Sequence, residues 1–200
     1  MAAVYIIITF AFIYGEQVIR WDPGVQIYMF VIVQITAALG AIVFGFIQNR
    51  IGAKQTYVTT MALWTVGIVL IYATPQITEM LNRTFGTEWH PQHIFLFVGI
   101  ITGVSLGSSQ SAGRAMVGLF SPDSKSSEFF GFWGLSGKLA GVFGVIGLGL
   151  LQSRFGLQTA ILFCAALFIT SIVVVLFVDQ ERGRRAADEY VPISSGPRRS

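Results

Sequence analysis

GVSLGSSQSAGRAMVGLFSPDSKSSEFFGFWGLSGKLAGVFG, residues Gly103 to Gly144, decides the reading of this chain. It contains the end of one apolar segment and most of the next, yet Gln110, Arg114 and Lys138 sit inside them, with Glu128 at the boundary. In a bilayer, each central Arg or Lys costs roughly 2.5 to 3.5 kcal/mol on insertion scales, so such residues mark a path, an ion pair or a site. The rest of the chain reads as their scaffold.

Composition sets the class. Of 200 residues, 54% are hydrophobic and 12% charged, against about a quarter charged in soluble domains. This is the signature of an integral membrane protein. The net charge of +3 is scattered through short links and a tail, with no basic face and no interleaved aromatics, which argues against nucleic-acid binding. Cys164 stands alone in an apolar run, so it forms neither an intrachain disulfide nor a cysteine metal cluster. The first residues lack a basic region and a cleavage site, and they read as a membrane segment and not as a removed signal.

A helix needs about 20 residues to cross about 30 Å of hydrocarbon. Working outward, the predicted membrane helices cover about 2–15 (short), 25–47, 57–73, 94–119, 128–151 and 159–178, giving an all-α domain over 1–178. Pro75 is expected to close the third. Ala37, Ala41 and Gly45 repeat at every fourth position of the second, a small-residue stripe suited to close helix contact. The link from Pro75 to His93 carries Glu88, His90 and His93, which are metal-ligand types but also what an exposed connection contains. No metal or cofactor is expected. From Asp179 the mixed charge and two prolines predict a disordered tail over 179–200. Arg50, Lys54, Lys125, Arg182, Arg184 and Arg185 fall on one side and Arg20, Arg83 and Arg154 on the other, a bias that places both termini in the cytoplasm.

Three polar features carry the functional expectation. Gly45, Arg50, Gly52 and Lys54 form a tight basic turn between the second and third helices. Glycine there permits a left-handed residue, and the cations face helix ends or set topology. Gln110 and Arg114 are one turn apart and share a face, beside Ser111 and other small polar residues. A guanidinium there either snorkels to the headgroups or holds a carboxylate. Gly131, Gly134, Gly137, Gly141 and Gly144 line the fifth helix, a density suited to close packing with freedom to rock. Lys138 lies ten residues beyond Glu128, roughly 15 Å in, either in a buried ion pair or on a water-filled path. Ser136-Gly137-Lys138 fails as a phosphate loop, since Phe132 and Leu139 stand where glycine and a hydroxyl residue are needed.

The basic turn resembles the loop signature of the major facilitator superfamily, with Asn49 where that signature has an acidic residue. The opening run, followed by a last helix and VDQERG, resembles the C-terminal half of the vacuole effluxer family, an autophagy-related amino-acid exporter-like branch of that superfamily. The matching residues are Gln110, Ser111, Arg114, Glu128, Phe129, Phe130, Gly131, Ser136, Gly137 and Lys138. With the basic turn, the likeness covers most of residues 26–183. It implies one six-helix half of a twelve-helix exporter of small solutes, which are amino acids in the vacuolar members, and a partner that is a separate N-terminal half or a second copy. The family's Asp-Gly pair near the start of this half is missing from the first helix. The expected substrate-binding or coupling residues are Gln110, Ser111, Arg114, Glu128 and Lys138: Arg114 and Lys138 supply positive charge to a solute cavity and Gln110 a hydrogen bond, with Glu128 a proton-coupling group or gate partner. The alternative is a non-transporting scaffold or truncated remnant that recruits a partner through its tail. No nucleophile, base and orienting group converge in the sequence, so an enzyme is not expected.

Overall fold

The computed structural model describes residues 2–86 and 88–190. Helix α1, Ala2–Tyr14, continues as a wide turn, Gly15–Ile19, and ends at Arg20, whose φ of 55° is left-handed. Helices α2 (Pro23–Ile51), α3 (Ala53–Phe85), α4 (Pro91–Phe120), α5 (Ser126–Phe155) and α6 (Leu157–Leu176) are each long and apolar enough to cross a membrane. A short amphipathic helix α7, Gln180–Asp188, follows. The chain is therefore an all-α integral membrane protein, with five membrane-length helices and the shorter α1.

Two links are single glycines, and they are copies of each other. Ile47-Gln-Asn-Arg-Ile-Gly52 ends α2 and Leu151-Gln-Ser-Arg-Phe-Gly156 ends α5. Gly52 has φ 85°, ψ 161°, and Gly156 has φ 80°, ψ 159°, a conformation open to a residue without Cβ. In both, the glycine N–H donates to the glutamine carbonyl at 2.9 Å and the glycine carbonyl accepts from the next helix. The matched links divide the bundle into two three-helix units, α1–α3 and α4–α6.

The packing has the same twofold logic. The first helix of each unit lies against the second of the other, α4 on α2 and α1 on α5, while α3 and α6 pack together between them. Hydrogen bonds fix the ends. At one face, Asp22 before α2 and Gln92 of α4 bond reciprocally, each contact 3.1 Å. At the other, Lys54 of α3 meets the end of α6: its Nζ donates to the carbonyls of Leu176 at 2.9 Å and Val178 at 2.7 Å. The two units are therefore inverted with respect to the membrane.

Lipid tails are as apolar as leucine, so close contact between backbones and not water exclusion holds such helices together. The α2–α4 seam supplies it. A Cβ on Gly103 would strike Thr36, one on Gly107 the carbonyl of Ala37, and one on Gly40 would lie 2.5 Å from the carbonyl oxygen of Val104. The expected stripe Ala37–Ala41–Gly45 contributes at Ala37; a Cβ on Gly45 would meet nothing within 4 Å. Elsewhere Trp64 of α3 stacks on Phe168 of α6 at 5.4 Å, and Trp21 packs edge-on against Phe95 at 5.5 Å.

Two expectations are corrected. Pro75 does not end α3, which continues to Phe85. The ring removes one N–H and its bond to the Ile71 carbonyl. The Thr74 hydroxyl donates to the Leu70 carbonyl and the Tyr14 hydroxyl to that of Tyr72, so neighbouring carbonyls keep partners. Asn82 then clamps the backbone of Trp89 with two hydrogen bonds, at 2.8 and 3.0 Å. The tail is also not disordered where it is described. The Asp179 carboxylate accepts from the Arg182 N–H at 3.0 Å, an N-cap, and α7 forms. Residues 191–200 of the expected tail lie outside the described residues.

Candidate functional site

Gly99, Gly103 and Gly107 of α4 face α2 through Met29, Thr36 and Ala37. Gln110 and Arg114, three and seven residues further, continue that stripe toward the end of the seam. Gln110 and Ser111 are half-buried and Arg114 is exposed. The preceding small polar run has a packing role. Ser105, Ser108 and Ser109 are buried, and their hydroxyls donate to carbonyls of their own helix, those of Ile101, Ser105 and Leu106. Ser109 also accepts from Trp64 Nε1 at 3.1 Å, tying α3 to α4. The run therefore reports helix contact and not solute contact.

On α5, Glu128 and Lys138 are exposed. Glu128 lies 3.9 Å from Lys125, at the membrane boundary, with both side chains well exposed; such pairs add little to stability. The side chain of Ile6 on α1 occupies the place of a Gly144 Cβ, so α1 runs beside the later part of α5. The first turns of α5, from Glu128 to Lys138, lie before that contact. Of the five glycines expected to pack there, Gly137 and Gly141 are buried and Gly144 meets Ile6, but Gly131 and Gly134 face open space. On the face that carries Lys138, these two glycines therefore make no close helix contact.

A cleft of about 160 Å³ opens between α1, α2 and α4, with Trp64 and Ile71 of α3 at its base. Its walls are apolar except for Gln34 and Thr102. Gln34 was detectable in sequence as the lone amide in an apolar run, FVIVQITAALG. Arg114 and Lys138 are not on the cleft's walls. The structure thus places the expected solute residues in three groups: Gln110, Ser111 and Arg114 in the last turns of α4, Lys138 midway along α5, and Glu128 in the first turn of α5.

In the basic turn, Lys54 caps α6 as described, and its backbone N–H donates to Gln180 Oε1 at 3.1 Å. Arg50 and Asn49 are exposed and line a surface hollow with Phe46. At the opposite face, Arg154 is the repeat counterpart of Arg50, a correspondence that comparing the two glycine links in sequence would have found. The His90 and His93 rings are 5.9 Å apart, and among the described residues no group of three histidine, cysteine or carboxylate side chains is placed to hold a metal ion.

An all-helical membrane unit made of two inverted three-helix repeats has the architecture of one half of a major facilitator superfamily transporter. The chain belongs to the vacuole effluxer Atg22-like family, whose sequence profile matches residues 2–188. It is 24% identical over 180 residues to autophagy-related protein 22-1 of Neosartorya fischeri, covering 88% of this chain and 29% of that protein. It is 26% identical over 176 residues to the MFS-type transporter YxiO of Bacillus subtilis, covering 88% of this chain and 37% of that protein. Autophagy-related protein 22 of Saccharomyces cerevisiae is 31% identical over 108 residues, 54% of this chain and 20% of that protein. The chain thus spans about 30% of the length of the fungal relatives. No solved structure matches it.

Proposed function

We propose that this chain is one half of a secondary active transporter. It moves a small solute, an amino acid or another small anion or zwitterion, by alternating access against a second six-helix half. That half is a separately encoded N-terminal unit, the remainder of a longer chain, or a second copy, and both termini face the cytoplasm. One observation carries the reading: Arg114 and Lys138 are exposed within two membrane-length helices, α4 and α5, inside the stretch that matches the family. Such cations are stable where they face water, a partner or a counter-charge, and not lipid. A second half laid over α2 and α5, the two membrane helices this unit buries least, would turn both into a shared cavity. Membership of a vacuole effluxer-like family and the transporter name of the Bacillus subtilis relative support the assignment. The tail-recruitment alternative gains nothing from α7, which is docked on the bundle's own helix ends.

The test is flux of labelled amino acids in proteoliposomes holding the complete two-half protein. Lys138→Ala is expected to cut flux at least tenfold with insertion and amount unchanged. Wild-type flux in that variant would reject the role given to Lys138.

A further inference from the structure

Helix α7 has no part in the transport reading, yet it and the residues just past it are tied to three elements: α3, α4 and the link between α4 and α5. At its start, Gln180 Oε1 accepts from the Lys54 N–H of α3, and Lys54 Nζ holds the carbonyls of Leu176 and Val178 where α6 gives way to the turn. In its middle, Gly183 lies on the Phe120 ring of α4, so close that a Cβ would stand 2.8 Å from Cδ1 and Cε1. Just past its end, the Tyr190 ring sits 5.5 Å from Lys125 Nζ, in the link between α4 and α5. The ties differ in kind. At the start one hydrogen bond reaches α7 itself, while two more from the same lysine hold the end of α6 and the turn from which α7 emerges; those further along are a ring contact and a single cation over an exposed ring. Beneath the far half, a polar hollow of about 350 Å³ remains between Ser121, Asp123 and Ser124 of the link and Asp188 and Tyr190.

We propose that α7 is a releasable strap. It pivots on the Lys54 anchor and, when down, holds the α4–α5 link against the α3–α6 pair at this face of the membrane. The Asp179 cap lies on the anchor side of the pivot, so α7 stays helical when its far end lifts. Segments with few buried contacts open locally at small cost, and the exposure of residues 184–186 and 188–190 puts the far end of α7 in that class. Lifting frees Phe120 from Gly183 and Lys125 from Tyr190 together, and lets the link and the first turns of α5, which carry Glu128 and Lys138, move away from α3 and α6. This coupling stands without the transport reading.

The experiment is amide hydrogen exchange on the full chain in lipid nanodiscs. Gly183→Val sets a side chain against the Phe120 ring and lifts α7. Exchange at least tenfold faster is expected in residues 183–188 and, with it, in the link 121–127, while α3 residues 56–68 stay as slow as before. Phe120→Ala added to Gly183→Val makes room for the valine and is expected to restore both segments. Faster exchange in α7 with the link unchanged would overturn the strap, as would an α7 that does not respond. Should Gly183→Val speed exchange in α3 as well, Tyr190→Ala, on the surface, is read instead: the link is expected to speed up with residues 183–188, and an unchanged link overturns the proposal.

Discussion

Glycines show how far a residue's chemistry can be read without coordinates. Seen in sequence, the dense set on α5 draws the eye, but the closest helix approach lies on α4, where Gly103 and Gly107 meet Thr36 and the Ala37 backbone. Both sets share the same spacing, so only the neighbouring helix tells them apart. The distinction predicts opposite signs for one substitution. Gly107→Ala drives a Cβ into backbone that cannot rotate away, an overpacking cost of about 1–3 kcal/mol. Gly134→Ala fills empty space and removes a poor helix former, worth up to about 1 kcal/mol in the other direction. Thermal unfolding in detergent should show the first variant melting below wild type and the second at or above it; matching shifts would contradict the seam. Ser108 and Ser109 teach a similar lesson. A run of small polar residues beside an arginine suggested a solute face, and burial plus the Trp64 bond assign them to packing.

At the scale of elements, the membrane helices were legible because their apolar stretches approach the span length, and Gly52 marked its own turn. Their ends were less so. Gln48, Asn49 and Arg50 carry α2 past the apolar stretch, and α3 passes through Pro75, because helices run beyond the hydrocarbon wherever side chains and neighbours satisfy the backbone. Helix α7 was hidden by its charge: Arg182, Arg184, Arg185, Glu181 and Asp188 read as a solvated tail, whereas the cap at Asp179 and the small Gly183 are the local signals of a docked helix. Its far end has a predictable pH response. The Tyr190 hydroxyl, and secondarily the Glu128 carboxylate, hold the Lys125 ammonium above its ordinary range. A raised lysine contributes while pH stays below the unfolded value of about 10.4 and loses that contribution as pH climbs through the higher folded value. Asp123 and Asp188, on the walls of the adjoining hollow, are further charges facing this end. A nitroxide at residue 187 should therefore keep one mobility from about pH 6 to 9 and become freer only in strong alkali. Loosening near neutrality would show that Lys125 is not the tie.

For the whole molecule, the repeated Gln-x-Arg-x-Gly links were present in the sequence at residues 48–52 and 152–156, and they encode the inverted architecture more directly than hydropathy does. What composition did not show is how the units exchange partners, α4 on α2 and α1 on α5, since that depends on three-dimensional closure. Nor did it show that the five solute candidates fall in three groups on this unit. The chain spans about 30% of the length of the fungal relatives, and α2 and α5 are its least buried membrane-length helices, the pair over which the proposed second half is laid. The most direct measurement is water access at the deepest cation. In the complete protein, Lys138→Cys would be treated with a membrane-impermeant methanethiosulfonate reagent in proteoliposomes, with the buried Cys164 providing a quiet background. The account predicts rapid modification from at least one side, slowed by transported solute. No modification from either side, with the protein folded and inserted, would contradict it.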